Sequence, residues 1–216
     1  MRQGGNRGFS VLELMVVLVI AAVLSAAAVP RIQQWAANQR LKQATRSLAD
    51  LMRVAQAEAV RTGGNFLVLF GTDATGAPLP AGSAGVPYAA VAVQDANADG
   101  LIGAGERLIP IEAANGVFWG ITTAGVAHPD DSSPRAAAFA TGATFQDALG
   151  GAASWLAFRP DGLPVSFSTG PYQEGGVGSG AGAIYLTNGA RDYAIVLSPL
   201  GGVRISAWDA SQNQWR

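Results

Sequence analysis

Residues 7–30 read RGFSVLELMVVLVIAAVLSAAAVP, and from Phe9 to Val29 the run is apolar except for Ser10, Glu13 and Ser25. About 20 such residues in a helix cross the hydrocarbon core of a bilayer. Glu13 is the odd member. An ionisable group in a membrane span costs roughly 2.5–3.5 kcal/mol on insertion scales and calls for a compensating partner. The nearest cation in the sequence, Arg7, lies one and a half turns back. A free α-amino group at Phe9, created by cutting after Gly8, would supply a cation on another copy. An ordinary secretory signal has an apolar core of only 7–15 residues before a small-residue cut site. Ala26 and Ala28 imitate such a site, but the core here is longer and holds a carboxylate. A plain single-span anchor accounts for the length and leaves Glu13 unexplained. Arg31, Arg40 and Lys42 lie just beyond the far end, so the Lys/Arg rule does not fix the orientation.

The short basic leader ending in Gly8, then Phe9, Glu13 and Pro30, resembles the leader and N-terminal helix of type IV pilins and type II secretion pseudopilins. The resemblance implies a prepilin peptidase that cuts between Gly8 and Phe9 and methylates the new N-terminal phenylalanine. It implies that Glu13 pairs with a neighbouring subunit's amine during fibre assembly. The leader then lies inside, and residues 64–216 lie in the periplasm of a cell with a single-pass inner-membrane anchor.

Beyond the span, Pro30 falls inside a helical pattern and predicts a bend without a stop. Ile32, Trp35, Leu41, Ala44, Leu48, Leu51, Ala55 and Ala59 recur at mostly three- and four-residue steps. Gln39, Lys42, Arg46, Asp50, Arg53 and Arg61 occupy the opposite face, as in an amphipathic helix. Trp35 and Leu48 read as core residues. Gly63-Gly64 ends the helix. The segments are then 1–8 (leader), 9–30 (span), 31–63 (amphipathic continuation) and 64–216 (a β-rich unit).

After Gly64 the period changes to strands, expected at 65–70, 88–93, 107–111, 117–122, 155–159, 164–168, 183–187, 192–197 and 202–208. Gly71 to Pro87 reads as a loop, 127–135 as a polar solvated loop and 170–182 as a flexible one. Residues 136–153 fit one strand and a helical turn. Short strands with Gly/Pro turns predict two packed antiparallel sheets. The expected class is α+β: a long N-terminal transmembrane helix packed on a C-terminal antiparallel β-sandwich-like domain, a pilin-like arrangement. WLAFRPDGLP (155–164) and DYAIVLSPLGGVRIS (192–206) also resemble the GspH/FimT group of minor subunits in secretion and pilus systems. That resemblance implies a minor pseudopilin near the tip of a short fibre, in contact with other pseudopilins or pilins and with secreted proteins.

Composition narrows the chemistry. The chain has 216 residues, 14 Lys+Arg, 15 Asp+Glu and no cysteine. A thiolate metal site and a disulfide are therefore excluded. Loss of the leader leaves 12 basic against 15 acidic side chains, which argues against non-specific phosphate binding. The stretch 95–106, DANADGLIGAGE, fits a twelve-residue calcium loop, with Asp95, Asn97, Asp99, the Leu101 carbonyl and Glu106 as oxygen ligands. Its strand-like flanks fit equally a hairpin turn built from turn-favouring residues. His128 is the only histidine. With Asp130, Asp131, Ser132 and Ser133 beside it and no nucleophile elbow, no catalytic triad is expected. Some pilus subunits of the same group bind DNA through a Gly-Arg-x-Arg pattern. Here Gly202 replaces the first arginine, leaving Arg204, with Arg191 and Arg216 as further contacts; Trp208 and Trp215 could stack bases but read rather as core or tail residues.

Overall fold

The computed structural model describes residues 10–83, 85–122, 128–129, 142–149, 151–167 and 180–216. One long helix and antiparallel strands make the α+β, pilin-like layout expected from the sequence. Two compact units divide the chain, residues 1–39 and 40–216.

Helix α1 (Val11–Thr62) begins at Ser10, whose Oγ accepts the Glu13 N–H at 3.1 Å. Ser10-Val-Leu-Glu13 is thus a capping-box sequence, with a carboxylate in the first turn where the helix dipole favours it. The helix continues through Pro30. In the N-terminal unit Leu14, Leu18, Val23 and Leu24 are each more than half exposed. Trp35 is 64% exposed, so the expectation that it is a core residue is corrected. Burial in the helix starts at Leu41, six residues later. Leu48 is buried as expected.

In the second unit, Leu41, Leu48, Met52, Ala55 and Ala59 of α1 share one apolar core with two five-stranded sheets. The first sheet contains β1 (Asn65–Phe70), β2 (Tyr88–Asp95), β3 (Leu108–Glu112), β7 (Trp155–Phe158) and β8 (Pro164–Phe167), in the order β3-β2-β1-β7-β8. The second contains β4 (Phe118–Trp119), β9 (Gly182–Thr187), β10 (Asp192–Leu197), β11 (Val203–Asp209) and β12 (Gln214–Trp215), in the order β12-β11-β10-β9-β4. Every pairing is antiparallel. On β9 and β10, Ile184, Leu186, Ile195 and Leu197 enter the main core. The alternate residues Ala183, Tyr185, Ala194 and Val196 form a second cluster with Ile121 and Trp215. That alternation is the period of two of a strand buried on both faces.

Instead of one strand and a helical turn, the described part of 136–153 holds two short paired strands, β5 (Phe145–Gln146) and β6 (Ala152–Ala153). Asp147 makes the turn between them, its Oδ1 accepting N–H groups of Leu149 and Gly151. Strands of two residues are too short to show a period. His128 is buried, not solvated as its Pro/Asp/Ser-rich surroundings suggest. The flexible loop expected at 170–182 lies outside the described residues up to 179, and its end, Gly182, begins β9.

Candidate functional site

Three places carry the residues singled out in the sequence, and they differ in what they can do. At the N-terminus, Gly8 and Phe9 lie outside the described residues. Glu13 occupies the first turn of α1, exposed, its N–H held by Ser10. Its carboxylate stands on an apolar helix surface, since Val11, Leu12, Leu14, Met15 and Val16 around it are 52–78% exposed. An 18-residue window of α1 reaches a mean hydropathy of 2.6 with none of it buried. This is a helix long and apolar enough to cross a membrane. Such a surface can bury itself in lipid or against like helices, and a carboxylate on it can recruit a cation.

The second place is the hairpin between β2 and β3. Asp95, at the end of β2, is 4% exposed; Oδ1 accepts the Asp99 N–H and Oδ2 the Gly100 N–H, both at 3.2 Å. Burial, and then the like charges of Asp99 and Glu106, push its carboxyl above the ordinary aspartate range, against the two amide hydrogen bonds. Asp99 accepts from the Leu101 N–H at 2.8 Å and from the Asn97 amide at 2.8 Å. Glu106 spans the loop, with Oε1 on the Ala96 N–H and Oε2 on the Gly103 N–H at 2.6 Å. Left-handed conformations at Ala98 (φ 56°) and Gly100 (φ 73°) make these turns. Asp95 and Glu106 thus accept from the loop's own backbone, and Asp99 from the backbone and from the Asn97 side chain. Among the described residues no group of three or more His, Cys, Asp or Glu could hold a metal ion.

The third place is the second sheet. Arg191 is exposed in the β9–β10 turn, where Asn188 Oδ1 accepts the Arg191 N–H at 2.9 Å. Arg204 is exposed on β11 opposite Val196, near the other end of β10. Five residues at about 3.3 Å each separate positions 191 and 196 by about 17 Å, so the two arginines flank β10 at opposite ends. Arg216 pairs with Asp209 at 3.3 Å. Trp208 and Trp215 pack edge to face at 5.3 Å, and Trp215 also lies against Tyr185.

A junction that the sequence did not announce joins both sheets to the helix. Gln56 Nε2 donates to the Gly162 carbonyl at 2.9 Å, in the Arg-Pro-Asp-Gly turn between β7 and β8. Gly201 (φ 84°), in the β10–β11 turn, comes so near that a Cβ there would clash with Gln56 Nε2 and lie 2.9 Å from the Gly162 carbonyl oxygen. One turn away, Arg53 donates to the Val203 carbonyl at 3.2 Å. Near the helix end Glu58 accepts from Arg61 and from Arg107, the latter at 3.0 Å, which ties the helix to the start of β3. The two stretches 155–164 and 192–206 therefore meet on α1. Glycines in both turns were the available signal.

The family model for the prokaryotic N-terminal methylation motif matches residues 4–29. This is the type IV pilin-like prepilin signal, and with the apolar helix it is consistent with a single-pass, membrane-anchored protein. No curated protein and no solved structure matches the chain significantly.

Proposed function

We propose that this chain, which carries a type IV pilin-like prepilin signal, is a minor pseudopilin of the type II secretion pathway or a closely related minor pilin. It is a non-enzymatic assembly subunit. Prepilin peptidase cuts between Gly8 and Phe9 and methylates Phe9, and the span holds the subunit in the inner membrane with the β unit in the periplasm. Glu13 then pairs with a neighbouring subunit's amine as the helix joins a short fibre. The β unit, near the tip, meets other subunits and secreted proteins.

The observation that carries this reading is the methylation motif at 4–29, leading directly into an exposed apolar helix with one carboxylate in its first turn. The DNA-uptake alternative draws on Arg191 and Arg204, which the fold sets at opposite ends of β10. Two such contacts make weak, strongly salt-dependent binding. The test is Glu13→Ala in cells that assemble the fibre. The variant is expected to be cleaved and N-methylated, read by mass spectrometry of the mature N-terminus, yet absent from sheared fibres. Normal incorporation would remove the assembly role. Micromolar DNA affinity lost in Arg204→Ala would transfer the reading to DNA uptake.

A further inference from the structure

The far end of the apolar run in the N-terminal unit carries two exposed residues of a particular kind, Arg31 and Trp35. They stand four residues apart, so they share one helix face. Arg31 makes no ion pair among the described residues. At 1.5 Å per residue, the eighteen residues from Glu13 to Arg31 are five turns and about 27 Å. The hydrocarbon core of a bilayer is about 30 Å thick, with a polar layer of about 5–8 Å on each side. Trp35 lies about 6 Å beyond Arg31 along the helix, at the depth of that layer. The only two ionisable side chains between Ser10 and Gln39 are therefore spaced to sit at opposite faces of one bilayer.

We infer that Arg31 and Trp35 form an anchor for phospholipid headgroups that fixes the depth of the span, with Glu13 at the other face. A guanidinium donates two parallel hydrogen bonds to phosphate oxygens. An indole prefers the interface, with its ring against the acyl chains and its N–H toward water. The inference deepens the assembly reading and rests on it for the membrane. Glu13 is solvated at rest. Sliding the helix outward by two turns, about 11 Å, lifts Arg31 off the phosphates and draws Glu13 into hydrocarbon. Extraction is then opposed at both ends until a neighbouring subunit offers Glu13 a cation. A lone subunit stays in the membrane, and one beside a growing fibre can leave it.

The chain has no cysteine, so one introduced thiol reports alone. The full chain with Ser25→Cys carries a nitroxide in phosphatidylethanolamine–phosphatidylglycerol vesicles, and its depth is read by power-saturation electron paramagnetic resonance. Adding Arg31→Ala and Trp35→Ala is expected to let Ile32 sink and move the label deeper by at least two residue rises, about 3 Å. Gln33→Ala with Gln34→Ala, and Arg31→Lys alone, are expected to leave the depth unchanged. An inserted label at the same depth in every variant overturns the anchor and leaves the span intact. A shift that appears only at high protein-to-lipid ratio assigns Trp35 to a second copy of the chain and also overturns it. A label fully open to a water-soluble reductant overturns the span and the anchor together.

Discussion

The same helix presents its leucines in two opposite ways. In the N-terminal unit Leu14, Leu18, Val23 and Leu24 are 55–65% exposed; in the second unit Leu41, Leu48, Leu51 and Met52 are at most 4% exposed. Fully burying one such side chain contributes about 1.5–3 kcal/mol in water. A dozen left open forgo that contribution, and it is recovered only where lipid or other helices cover the first segment. The second segment is an ordinary amphipathic helix whose apolar stripe is satisfied by two sheets. Residue type alone does not separate the two. What separates them is whether the remaining chain supplies a partner surface.

The contrast can be broken from either side. Phe66, on β1, is wholly buried in the shared core. Phe66→Ala should cost about 3–5 kcal/mol, lowering the unfolding midpoint of the full chain in detergent while leaving membrane insertion as in the wild type. A coupled loss of insertion would mean that the two units do not act separately. Leu18→Lys applies the reverse test. A lysine near the centre of a span costs roughly 3 kcal/mol on insertion scales, so carbonate-resistant membrane association should fall while the midpoint of the β unit stays put. A lowered midpoint would show that Leu18 belongs to a water-folded core.

Much of this division could be read from the sequence. The apolar run, the strands β1, β2, β3 and β7 to β11, and the β2–β3 hairpin follow from period and turn residues. The Ser10–Glu13 cap was equally readable, because a serine followed three residues later by a glutamate before an apolar run is a helix-start pattern. Three things were not legible, each for a physical reason. Trp35 sits at a core-like spacing, and periodicity reports a face without reporting what covers it. Strand β12 has only two residues, after Asn213 in a left-handed conformation, too short for alternation to show. The Gln56 junction links residues more than a hundred positions apart, and the glycines of its turns permit a close approach without naming the partner. The 95–106 pattern, in turn, serves both a calcium loop and a self-capped hairpin. Carboxylates that accept the loop's own amides are compatible with both, so the local pattern does not separate them.

The junction gives a smaller test confined to the second unit. Gly201 combines a left-handed backbone with no room for a Cβ beside Gln56 and Gly162. Gly201→Ala should destabilise by about 1–3 kcal/mol, through backbone strain and the displaced Gln56 amide. Gln56→Ala alone should cost only about 0.5–1.5 kcal/mol, the usual net worth of one hydrogen bond. If the double variant loses no more than Gly201→Ala does, the glycine acts through the glutamine. Simple addition would leave strain as its whole effect.

The gentlest test is acid. Glu58 is held below the ordinary glutamate range first by the Arg61 hydrogen bond and then by the attraction of Arg107, with burial acting against both. A carboxyl whose folded pKa is lowered binds fewer protons in the native state. Its contribution is therefore complete above the ordinary glutamate pKa and is lost as pH falls through the lowered folded value. Asp95, pushed upward, has the opposite sign: its charged form disfavours the folded hairpin, and that penalty is relieved as pH falls through its raised value. In Glu58→Gln the unfolding midpoint should drop less steeply with acid than in the wild type, and in Asp95→Asn more steeply. Both groups lie in the second unit, so neither variant should alter the pH dependence of membrane association. A change there would mean that the apolar helix and the β unit share a titrating contact, and the separation drawn from their opposite exposures would fail.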